Sequence, residues 1–338
     1  MVPALHCHGG GVTILVTGSA GHLGEALMRT MRREDRRARG IDIKASGFTD
    51  AVGSIADREF VRGQMRGVSA VLHTATLHKP HVGTHTQQEF IDTNVSGTLV
   101  LLEEALAAGV RSFVFTSTTS AFGSALTPAA GQPAAWVTED GTSVPKNIYG
   151  VTKVMAESLC ELFFRKWKLP VLVLRTSRFF PEPDDDASMR ERFESANAQA
   201  NEMLYRRVDV EDIVSAHFLA LHKAPELGFA RYIISATTPF TQSDLRLLRS
   251  NAPEVVRRLI PEYEALYRGR GWSMFPEIDR VYVNELARRE LDWRPKYDFR
   301  HVLDSLKAGA DFRSPLAQEI GSKGYHSTVF EEGPYPVA

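Results

Sequence analysis

The chain has 338 residues, with 40 lysines and arginines against 41 aspartates and glutamates, and 43% of its residues are hydrophobic. This length supplies enough apolar sequence for one large domain or two smaller ones. The balanced charge disfavours a dedicated nucleic-acid binder, and no apolar run approaches the ~20 residues that span a bilayer. Because only Cys7 and Cys160 are present and no signal peptide is visible, we expect a cytoplasmic protein without a disulfide scaffold.

Short β-type runs alternate with helical patterns through the first half of the chain. The predicted strands are Val12–Thr17, Ala38–Ile43, Ala70–His73, Ser112–Thr116 and Val171–Leu174. The predicted helices are one that carries Leu23, Leu27 and Met31 on a single face, and three near Asp57–Met65, Glu89–Ala108 and Tyr149–Lys168. This alternation predicts an α/β fold, a Rossmann-type doubly wound parallel sheet with helices on both faces.

A glycine-rich loop follows the first strand, with Gly18, Gly21 and Gly24 spaced three apart. Such a loop lets the backbone approach a pyrophosphate, and the helix that follows offers N–H groups and a positive dipole end to the anion. The spacing departs from the G-x-G-x-x-G pattern of dinucleotide-binding loops. Taken alone, the loop is equally compatible with an ordinary glycine turn.

Asp42 strengthens the interpretation as a dinucleotide site. It closes the second predicted strand, 24 residues after Gly18, where a carboxylate can accept hydrogen bonds from an adenosine ribose. Because that carboxylate would repel a 2′-phosphate, the sequence favours NAD over NADP. Lys44 and the arginines at 36, 37 and 39 keep NADP as the less favoured alternative, although a solvated helix end is the preferred explanation of the arginines.

Tyr149 and Lys153 begin the third of these later helices at positions i and i+4, so their side chains share one face. An ammonium beside a phenol favours the phenolate, and we therefore expect a lowered pKa for Tyr149. Such a phenol can exchange a proton with a substrate hydroxyl while a hydride moves to or from nicotinamide. The ordinary alternative is a surface pair on a helix, but the pair follows the cofactor signals in chain order.

Beyond Arg178 the sequence changes in character. Residues 181–201 are polar and irregular, with Asp184–Asp186 expected to be a solvated loop, and a late strand is predicted at Arg231–Ser235. We therefore predict a flexible tail at 1–11 and an NAD(P)-binding domain at 12–178 that a later strand near 207–236 completes. Residues 179–338 are expected to form mainly a smaller α/β substrate-binding lobe and a C-terminal tail. Substrate would lie beyond the carboxyl ends of the strands.

Several motifs occur in a characteristic order: Thr17–Gly24, Asp42, Val71–Ala75, Asn94–Thr98, Phe113–Gly123, Tyr149–Lys153 and Leu291–Lys296. In this order they resemble the extended short-chain dehydrogenases/reductases, the NAD-dependent epimerase/dehydratase family. The likeness runs from about Thr13 to Lys296 and is most specific in the first half.

This resemblance implies roles for particular residues. Tyr149 would be the general acid/base, Lys153 its partner and a nicotinamide-ribose ligand, and Thr118 the hydroxyl that positions the reacting group. Asp57 would contact adenine, and Asn94 would border the active site. The full set of expected cofactor-binding residues is Gly18, Ala20, Gly21, His22, Leu23, Gly24, Asp42, Ile55, Asp57, Thr74, Ala75, Thr76, Asn94, Thr116, Tyr149 and Lys153.

Two departures from the family pattern bear on the reaction. Dehydratases of the family carry Asp-Glu directly after the catalytic threonine, whereas this chain has Thr119-Ser120, so dehydration is disfavoured. Sugar-nucleotide epimerases usually carry asparagine where this chain has Arg178. The next residues, Phe179–Asp184, resemble the F-P-E-P loop of uronate dehydrogenases, which use a nearby arginine on the sugar-acid carboxylate. Arg178 or Arg190 would do so here by bidentate pairing, and for each the alternative is a surface arginine.

Further polar residues follow the predicted strands. Arg207, just before a helix start capped by Asp209, stands where the family places a basic residue that meets a substrate phosphate or carboxylate. Histidines 73, 78, 81 and 85 form a cluster, but no cysteine or carboxylate completes a ligand set, so we expect no metal. Their loop is expected to cover nicotinamide and substrate, with Lys79 or His81 as a polar contact. The expected substrate-binding residues are Thr118, Thr119, Arg178, Arg190, Arg207 and His81.

The sequence therefore predicts an NAD-dependent oxidoreductase or epimerase that acts on a secondary hydroxyl of a sugar or nucleotide sugar through Thr118, Tyr149 and Lys153. One alternative is a dehydrogenase of a sugar acid or another non-nucleotide alcohol. Another is a catalytically silent NAD(P)-binding regulator, since a fold alone does not establish activity. The resemblance also implies a homodimer formed through the helices near Asn94 and Tyr149, with neither nucleic acid nor membrane as a partner.

Overall fold

The computed structural model describes residues 13–324 and residue 330. The expected flexible tail at 1–11 and most of the expected C-terminal tail lie outside the described residues.

Seven parallel strands form the central sheet, in the order β3-β2-β1-β4-β5-β7-β8. A second sheet pairs β6 with β9, also in parallel. The strands are β1 Thr13–Thr17, β2 Ala38–Asp42, β3 Ala51–Val52, β4 Val68–His73, β5 Ser112–Thr118, β6 Ala135–Val137, β7 Val171–Thr176, β8 Phe229–Ile234 and β9 Arg280–Tyr282. The predicted strands and the doubly wound parallel sheet are confirmed, with ends that differ by one to three residues.

Helices connect these strands. They are α1 His22–Arg33, α2 Arg58–Gln64, α3 Gln87–Phe90, α4 Gly97–Ala107, α5 Ile148–Trp167, α6 Ala187–Arg192, α7 Ser195–Glu202, α8 Val210–Leu227, α9 Leu245–Leu259, α10 Tyr263–Arg268, α11 Glu285–Glu290, α12 Phe299–Lys307 and α13 Pro315–Ile320. Within the described part of the chain, no helix is long and apolar enough to cross a membrane.

Both faces of the central sheet are buried, as a parallel sheet requires. Side chains alternate along each strand, so Leu172 and Leu174 of β7 join the core under α1 and α8. Val171 and Val173 join the core on the other face, under α4 and α5. A separate apolar core lies among α7, α9, α10 and α12, and it holds together the later part of the chain.

The helix predicted at Glu89–Ala108 is interrupted by a wider turn. A π-helix, Ile91–Ser96, joins α3 to α4, so the three pieces follow one another without a break. A π turn inserts one extra residue, which the apolar periodicity of the sequence does not reveal. The buried side chain of Asn94 lies on this turn.

The polar segment at residues 181–201 is not irregular, contrary to our expectation. It contains α6 and most of α7, and α7 is buried although its residues are small and polar. Asn197 and Asn201 both donate side-chain hydrogen bonds to the Ser273 carbonyl, at 3.0 and 2.9 Å. Besides the core contacts of Ala198 and Ala200, hydrogen bonds of polar side chains hold this helix, so an apolar periodicity could not predict it.

Candidate active site at the carboxyl edge of the sheet

The glycine loop makes a tight passage between β1 and α1. Gly18 has φ of 74°, and a Cβ on Gly24 would lie 1.9 Å from the Gly18 carbonyl oxygen, so side chains are excluded at both positions. A Cβ on Gly21 would meet only the Gly18 carbonyl oxygen, at 3.3 Å. No side chain caps α1 at Gly21, which leaves the positive end of this helix facing the loop. The loop therefore fits a dinucleotide pyrophosphate.

Asp42 stands at the tip of β2, beside this loop. Its Oδ2 accepts a hydrogen bond from the Ala20 backbone N–H at 3.0 Å, and its Oδ1 accepts one from the Lys44 backbone N–H at 2.8 Å. The carboxylate is half-buried, and these two bonds hold it where an adenosine ribose would lie.

The nearby cations that would favour NADP are mostly engaged elsewhere. Arg36 pairs with Glu34 at 2.6 Å and lies over the Phe218 ring. Arg39 donates to the backbone carbonyls of Gln64 and Arg66. With Asp42 at the strand tip, this arrangement supports NAD over NADP.

The expected adenine-side residues have clear structural roles. Asp57 caps α2, since its Oδ1 accepts from the Phe60 N–H at 3.1 Å. Ile55 is buried against Gly97, where a Cβ would lie 2.7 Å from its side chain. The Asp57 cap fixes the start of α2, and the Ile55 contact places the loop after β3 against α4.

The loop after β4 is bound to the end of β1. The Thr17 hydroxyl contacts His73 Nδ1 at 2.8 Å, and it accepts from the Thr74 and Ala75 backbone N–H groups at 3.2 and 3.1 Å. His73 Nε2 lies 3.0 Å from the Thr98 hydroxyl. Burial, aided by the charge of Lys153, lowers the pKa of His73 well below its usual value. His73 is therefore a neutral structural link rather than a metal ligand.

Asn94 links the same loop to the catalytic helix. Its Oδ1 accepts from the Thr76 hydroxyl and the Leu77 N–H, at 2.9 and 2.8 Å. Its Nδ2 donates to the Leu77 carbonyl at 2.8 Å and to the Thr152 hydroxyl at 3.0 Å. These bonds use the full capacity of the amide, so Asn94 positions residues 76–77 and has no remaining bond for the cofactor contact that we expected.

Tyr149 and Thr118 form the reactive end of the site. Asn147 caps α5, so Tyr149 lies in its first turn, and Thr118 is the last residue of β5. The Thr118 hydroxyl hydrogen-bonds the Tyr149 phenol, and both side chains are over nine-tenths buried. Burial raises the pKa of Tyr149 to about 12, against a smaller opposing effect of Thr118.

The expectation of a lowered Tyr149 pKa is therefore wrong for this state of the protein. Lys153 shares the helix face with Tyr149, but its Nζ donates to the Thr116 carbonyl at 2.6 Å and lies 4.1 Å from the centre of the Phe115 ring. The ammonium is thus directed at the strand. Burial lowers the pKa of Lys153 to about 7, opposed by the negative charge of Glu157.

Two further threonines, Thr116 and Thr119, lie near the end of β5. The Thr116 hydroxyl contacts His217 Nε2 of α8 at 2.8 Å, so of this residue the backbone carbonyl is what meets Lys153. Thr119 begins a short 3-10 helix and is buried. The Thr116 hydroxyl is therefore bonded to α8, and its backbone carbonyl is the group directed at Lys153.

The loop after β7 leaves the sheet next to the end of β5. Arg178 Nη1 lies 2.6 Å from Asp184 Oδ2, and Arg207 Nε lies 2.7 Å from Glu202 Oε2. Arg190 Nη1 donates to the backbone carbonyls of Asp184 and Asp185, at 2.7 and 3.0 Å. The three arginines expected to bind substrate thus all hold protein groups.

Two further expectations for this region change. Asp184 and Asp185 are not a solvated run, because their side chains are only 10% and 13% exposed and pair with Arg178 and Lys79. His81 Nδ1 accepts from the His78 N–H at 3.1 Å, so this ring nitrogen stabilises the loop after β4. The ion pair between Lys79 and Asp185 joins the loops that follow β4 and β7.

A cavity of about 230 Å³ lies between the loop after β7 and helices α6 and α7; we call it the lobe cavity. Arg178, Arg190, Arg207, Asp184, Glu194 and Glu202 contribute to its walls. Because Thr176 pairs in register with Thr118, the loop that begins at Arg178 starts at the same sheet edge as the catalytic pair.

Histidine, cysteine and carboxylate side chains are the usual ligands of a metal centre in a protein. Among residues 13–324 and 330, no three or more of them are grouped so that they could hold a metal ion.

The profile of the NAD-dependent epimerase/dehydratase family matches residues 14–232, well over half of the chain. The chain belongs to this family. Over 329 residues it is 30% identical to the UDP-glucose 4-epimerase of Rhizobium leguminosarum bv. trifolii, covering 87% of this chain and 96% of that protein. This confirms the family resemblance on which the expected site residues rest.

Other curated relatives of this family member are matched over shorter stretches. The uncharacterized protein y4nG of Sinorhizobium fredii is 30% identical over 48% of this chain, and the alignment spans only 40% of that protein. The uronate dehydrogenase of Pseudomonas syringae pv. tomato is 25% identical over 52% of this chain and 62% of that protein. The chain thus spans about half of several relatives that it matches.

Solved structures agree with the assignment. A short-chain dehydrogenase/reductase superfamily protein from Agrobacterium tumefaciens, determined with bound NAD, is 26% identical and superposes with a TM-score of 0.62. The match covers 91% of this chain and 99% of that one. The family is described as NAD-dependent, and NAD is bound in this structural neighbour. Both findings support NAD, the expected cofactor.

Two functional side chains of this family member escaped the sequence analysis. Glu157 accepts from the Ser117 hydroxyl at 2.6 Å and pairs with Arg175 at 2.7 Å, directly behind the catalytic face. It follows Lys153 by four residues, so helical spacing could have indicated it. Glu202 precedes Arg206 by four residues, but its helix was not predicted, and the signal was therefore lost.

Proposed function

We propose that this protein is an NAD-dependent oxidoreductase that acts on a secondary hydroxyl of a sugar-like small molecule. The observation that carries the proposal is the buried Tyr149 phenol, hydrogen-bonded by Thr118 and one helical turn from Lys153, at the same sheet edge as the glycine loop. General acid–base catalysis requires such a positioned phenol beside the reacting hydroxyl.

In the proposed reaction, the Tyr149 phenolate accepts the proton of the substrate hydroxyl, and the carbon that carries this hydroxyl loses a hydride and becomes a carbonyl carbon. The Thr118 hydroxyl orients the reacting oxygen, and the positive charge of Lys153, one helical turn from Tyr149, favours the phenolate electrostatically although its Nζ is bonded to the Thr116 carbonyl. Bound NAD would supply the hydride acceptor. Gly18, Gly24 and Asp42 are the residues best placed to hold it.

Two outcomes of this chemistry are distinguished by the fate of the ketone. An epimerase returns the hydride to the other face of the ketone, whereas a dehydrogenase releases the oxidised product. A dehydratase is disfavoured, because Thr119 and Ser120 supply no carboxylate after Thr118.

The first test identifies the nucleotide that heat-denatured protein releases, by mass and stoichiometry. Near-stoichiometric NAD or NADH supports a cofactor retained through an epimerase cycle. Protein that is empty but binds added NAD reversibly supports a dehydrogenase. Retained NADP would contradict the role given to Asp42.

A second test separates catalysis from cofactor binding. Replacing Tyr149→Phe should lower turnover by about 10²–10⁴-fold, the usual contribution of a general acid/base, while NAD still binds. Tyr263→Phe is the control, because this tyrosine lies in the second core and its hydroxyl contacts only the Pro253 carbonyl, at 3.3 Å. Unchanged turnover in the Tyr149 variant would support a silent NAD-binding protein instead.

We also propose that the protein is a homodimer formed through α5. Val151, Met155 and Leu162 are 39%, 43% and 39% exposed and lie on one face of this helix. Light scattering after size exclusion should give twice the chain mass, and Met155→Asp should give the monomer. A monomeric wild-type protein at micromolar concentration would contradict this.

A further inference from the structure

The lobe cavity is small for the ligands that the relatives' names suggest. Pockets that bury drug-sized ligands usually measure about 300–1,000 Å³, whereas this one holds about 230 Å³. The volume matches a single sugar ring better than a sugar joined to a nucleoside diphosphate. Its entrance wall begins at Arg178, two residues beyond the strand position that pairs with Thr118.

Two arginines that line this cavity, Arg178 and Arg207, are already paired with protein carboxylates, as is the adjacent Arg206, whereas Arg190 donates to backbone carbonyls. Glu202 lies at the centre, with Oε2 at 2.7 Å from Arg207 Nε and Oε1 at 2.8 Å from Arg206 Nη2. Arg178 Nη1 lies 2.6 Å from Asp184 and 3.6 Å from Glu202. A substrate carboxylate or phosphate would have to compete with a protein carboxylate for the charge of Arg178, Arg206 or Arg207.

Displacing Glu202 is unfavourable. The side chain is 1% exposed, and a buried carboxylate deprived of its partners is strongly destabilised. Burial alone would raise its pKa, but Arg207, Arg206 and Arg178 hold that pKa at about 2, so the group is ionised at neutral pH.

The same carboxylate offers a place for a neutral ligand. Glu202 Oε1 makes ion-pair contacts but has no hydrogen bond of acceptable geometry in the protein. An ionised carboxylate only accepts hydrogen bonds, so it is complementary to a hydroxyl and not to another anion. Buried acceptors of this kind normally have a donor.

From this arrangement we infer that the substrate is an uncharged, polyhydroxylated molecule of monosaccharide size, and that Glu202 and Asp184 determine this specificity. They hold the arginines away from anionic ligands and present carboxylate oxygens to substrate hydroxyls. The inference rests on the proposed oxidation of a secondary hydroxyl and adds the class of substrate that carries it.

The test compares matched substrates with the NAD-loaded wild-type protein: a neutral hexose, its uronate, its 6-phosphate and its UDP derivative. We expect kcat/KM for the neutral hexose to exceed that of each anionic partner at least tenfold. An anionic member with equal or higher kcat/KM would overturn the inference while leaving the proposed oxidation intact.

Calorimetric binding of the same four compounds separates the inference from the proposed chemistry. If the neutral sugar binds but is not oxidised, the specificity stands and the proposed reaction fails. If no member binds, both are overturned.

Variants then test Glu202 itself. Glu202→Gln removes the central charge and should raise selectivity for the uronate over the neutral sugar at least tenfold, because Arg206 and Arg207 gain an unmatched charge. Glu194→Gln is the matched control: it removes one charge from the same cavity wall, but Glu194 binds Trp272 Nε1 at 2.9 Å rather than an arginine. Equal selectivity in both variants would overturn the role of Glu202, and if Glu202→Gln does not fold, the wild-type comparison decides.

Discussion

The helix that carries Tyr149 and the loop after β7 both meet the carboxyl edge of the sheet but are built differently. Tyr149 and Lys153 are aligned by a single helix, so their proximity follows from a spacing of four residues. Arg178, Glu202 and Arg207 come from a loop, the end of α7 and the segment before α8, and each needs the others to be folded first. The shared face of Tyr149 and Lys153 was predictable from local geometry, whereas charge pairing between segments was not.

The largest expected effect tests whether an ion pair between distant segments also stabilises the helix that carries Tyr149 and Lys153. Arg175 and Glu157, 5% and 2% exposed, form a buried pair between β7 and α5. Arg175→Met should cost about 3–5 kcal/mol in the free energy of unfolding, because it leaves a buried carboxylate with fewer partners. Urea denaturation measures this.

The control for that change is Arg313→Met, whose partner Asp311 is 34% exposed. An exposed pair contributes about 0–1 kcal/mol. Similar losses of unfolding free energy in the two variants would mean that the buried pair stabilises the protein no more than an exposed one.

The same contrast explains what the sequence could predict. The strands, the glycine loop, Asp42, Tyr149 and Lys153 are each defined by a short run of residues, and the structure places them at one sheet edge as expected. The protein partners of Asn94 and Thr116 could not be predicted, because these partners, Thr152 and His217, are 58 and 101 residues away. A family motif identifies such residues but does not indicate which groups they hydrogen-bond.

The next expected effect concerns the glycine loop, whose role follows from a short run of residues. Gly24→Ala should destabilise the protein by about 3 kcal/mol, the upper end of ordinary overpacking, because the new Cβ would meet backbone atoms that cannot move aside. NAD binding should weaken in parallel. Gly47→Ala is the control, since a Cβ there meets nothing within 4 Å. Normal NAD affinity in the Gly24 variant would refute the close passage of the loop.

A pH experiment probes the loop after β7. Glu182 accepts from His22 Nε2 at 2.8 Å and from the Lys323 N–H at 3.0 Å. Burial alone would raise its pKa, but these bonds lower it from 4.5 to about 2. The stabilisation is therefore fully present above pH 4.5 and is lost as the pH falls toward 2.

Glu182→Gln should reduce stability at neutral pH by about 1.5–3 kcal/mol, the range for hydrogen bonds to charged groups. It should also flatten the acid limb of the unfolding midpoint against pH. Glu319→Gln is the control, because its carboxylate is 40% exposed on α13. An unchanged acid limb in the Glu182 variant would show that the loop is anchored by other contacts.

The smallest effect separates two roles of Asp57. As the cap of α2, its replacement by alanine should cost about 1 kcal/mol, whereas Asp57→Asn should retain the cap and the stability. If Asp57 also contacts adenine, NAD affinity falls in the asparagine variant at unchanged stability. Calorimetry of NAD binding together with thermal unfolding distinguishes these results.

The anchoring of Glu182 has a consequence for the order in which the protein is completed during synthesis. Its partners are His22, in the first helix, and the backbone and side chains of residues 322–324, which follow it by 140 residues or more. Chains fold as they emerge, N-terminal parts first. The nucleotide-binding half can therefore assemble early on the ribosome, while the loop after β7 is secured only after residues 322–324 have emerged.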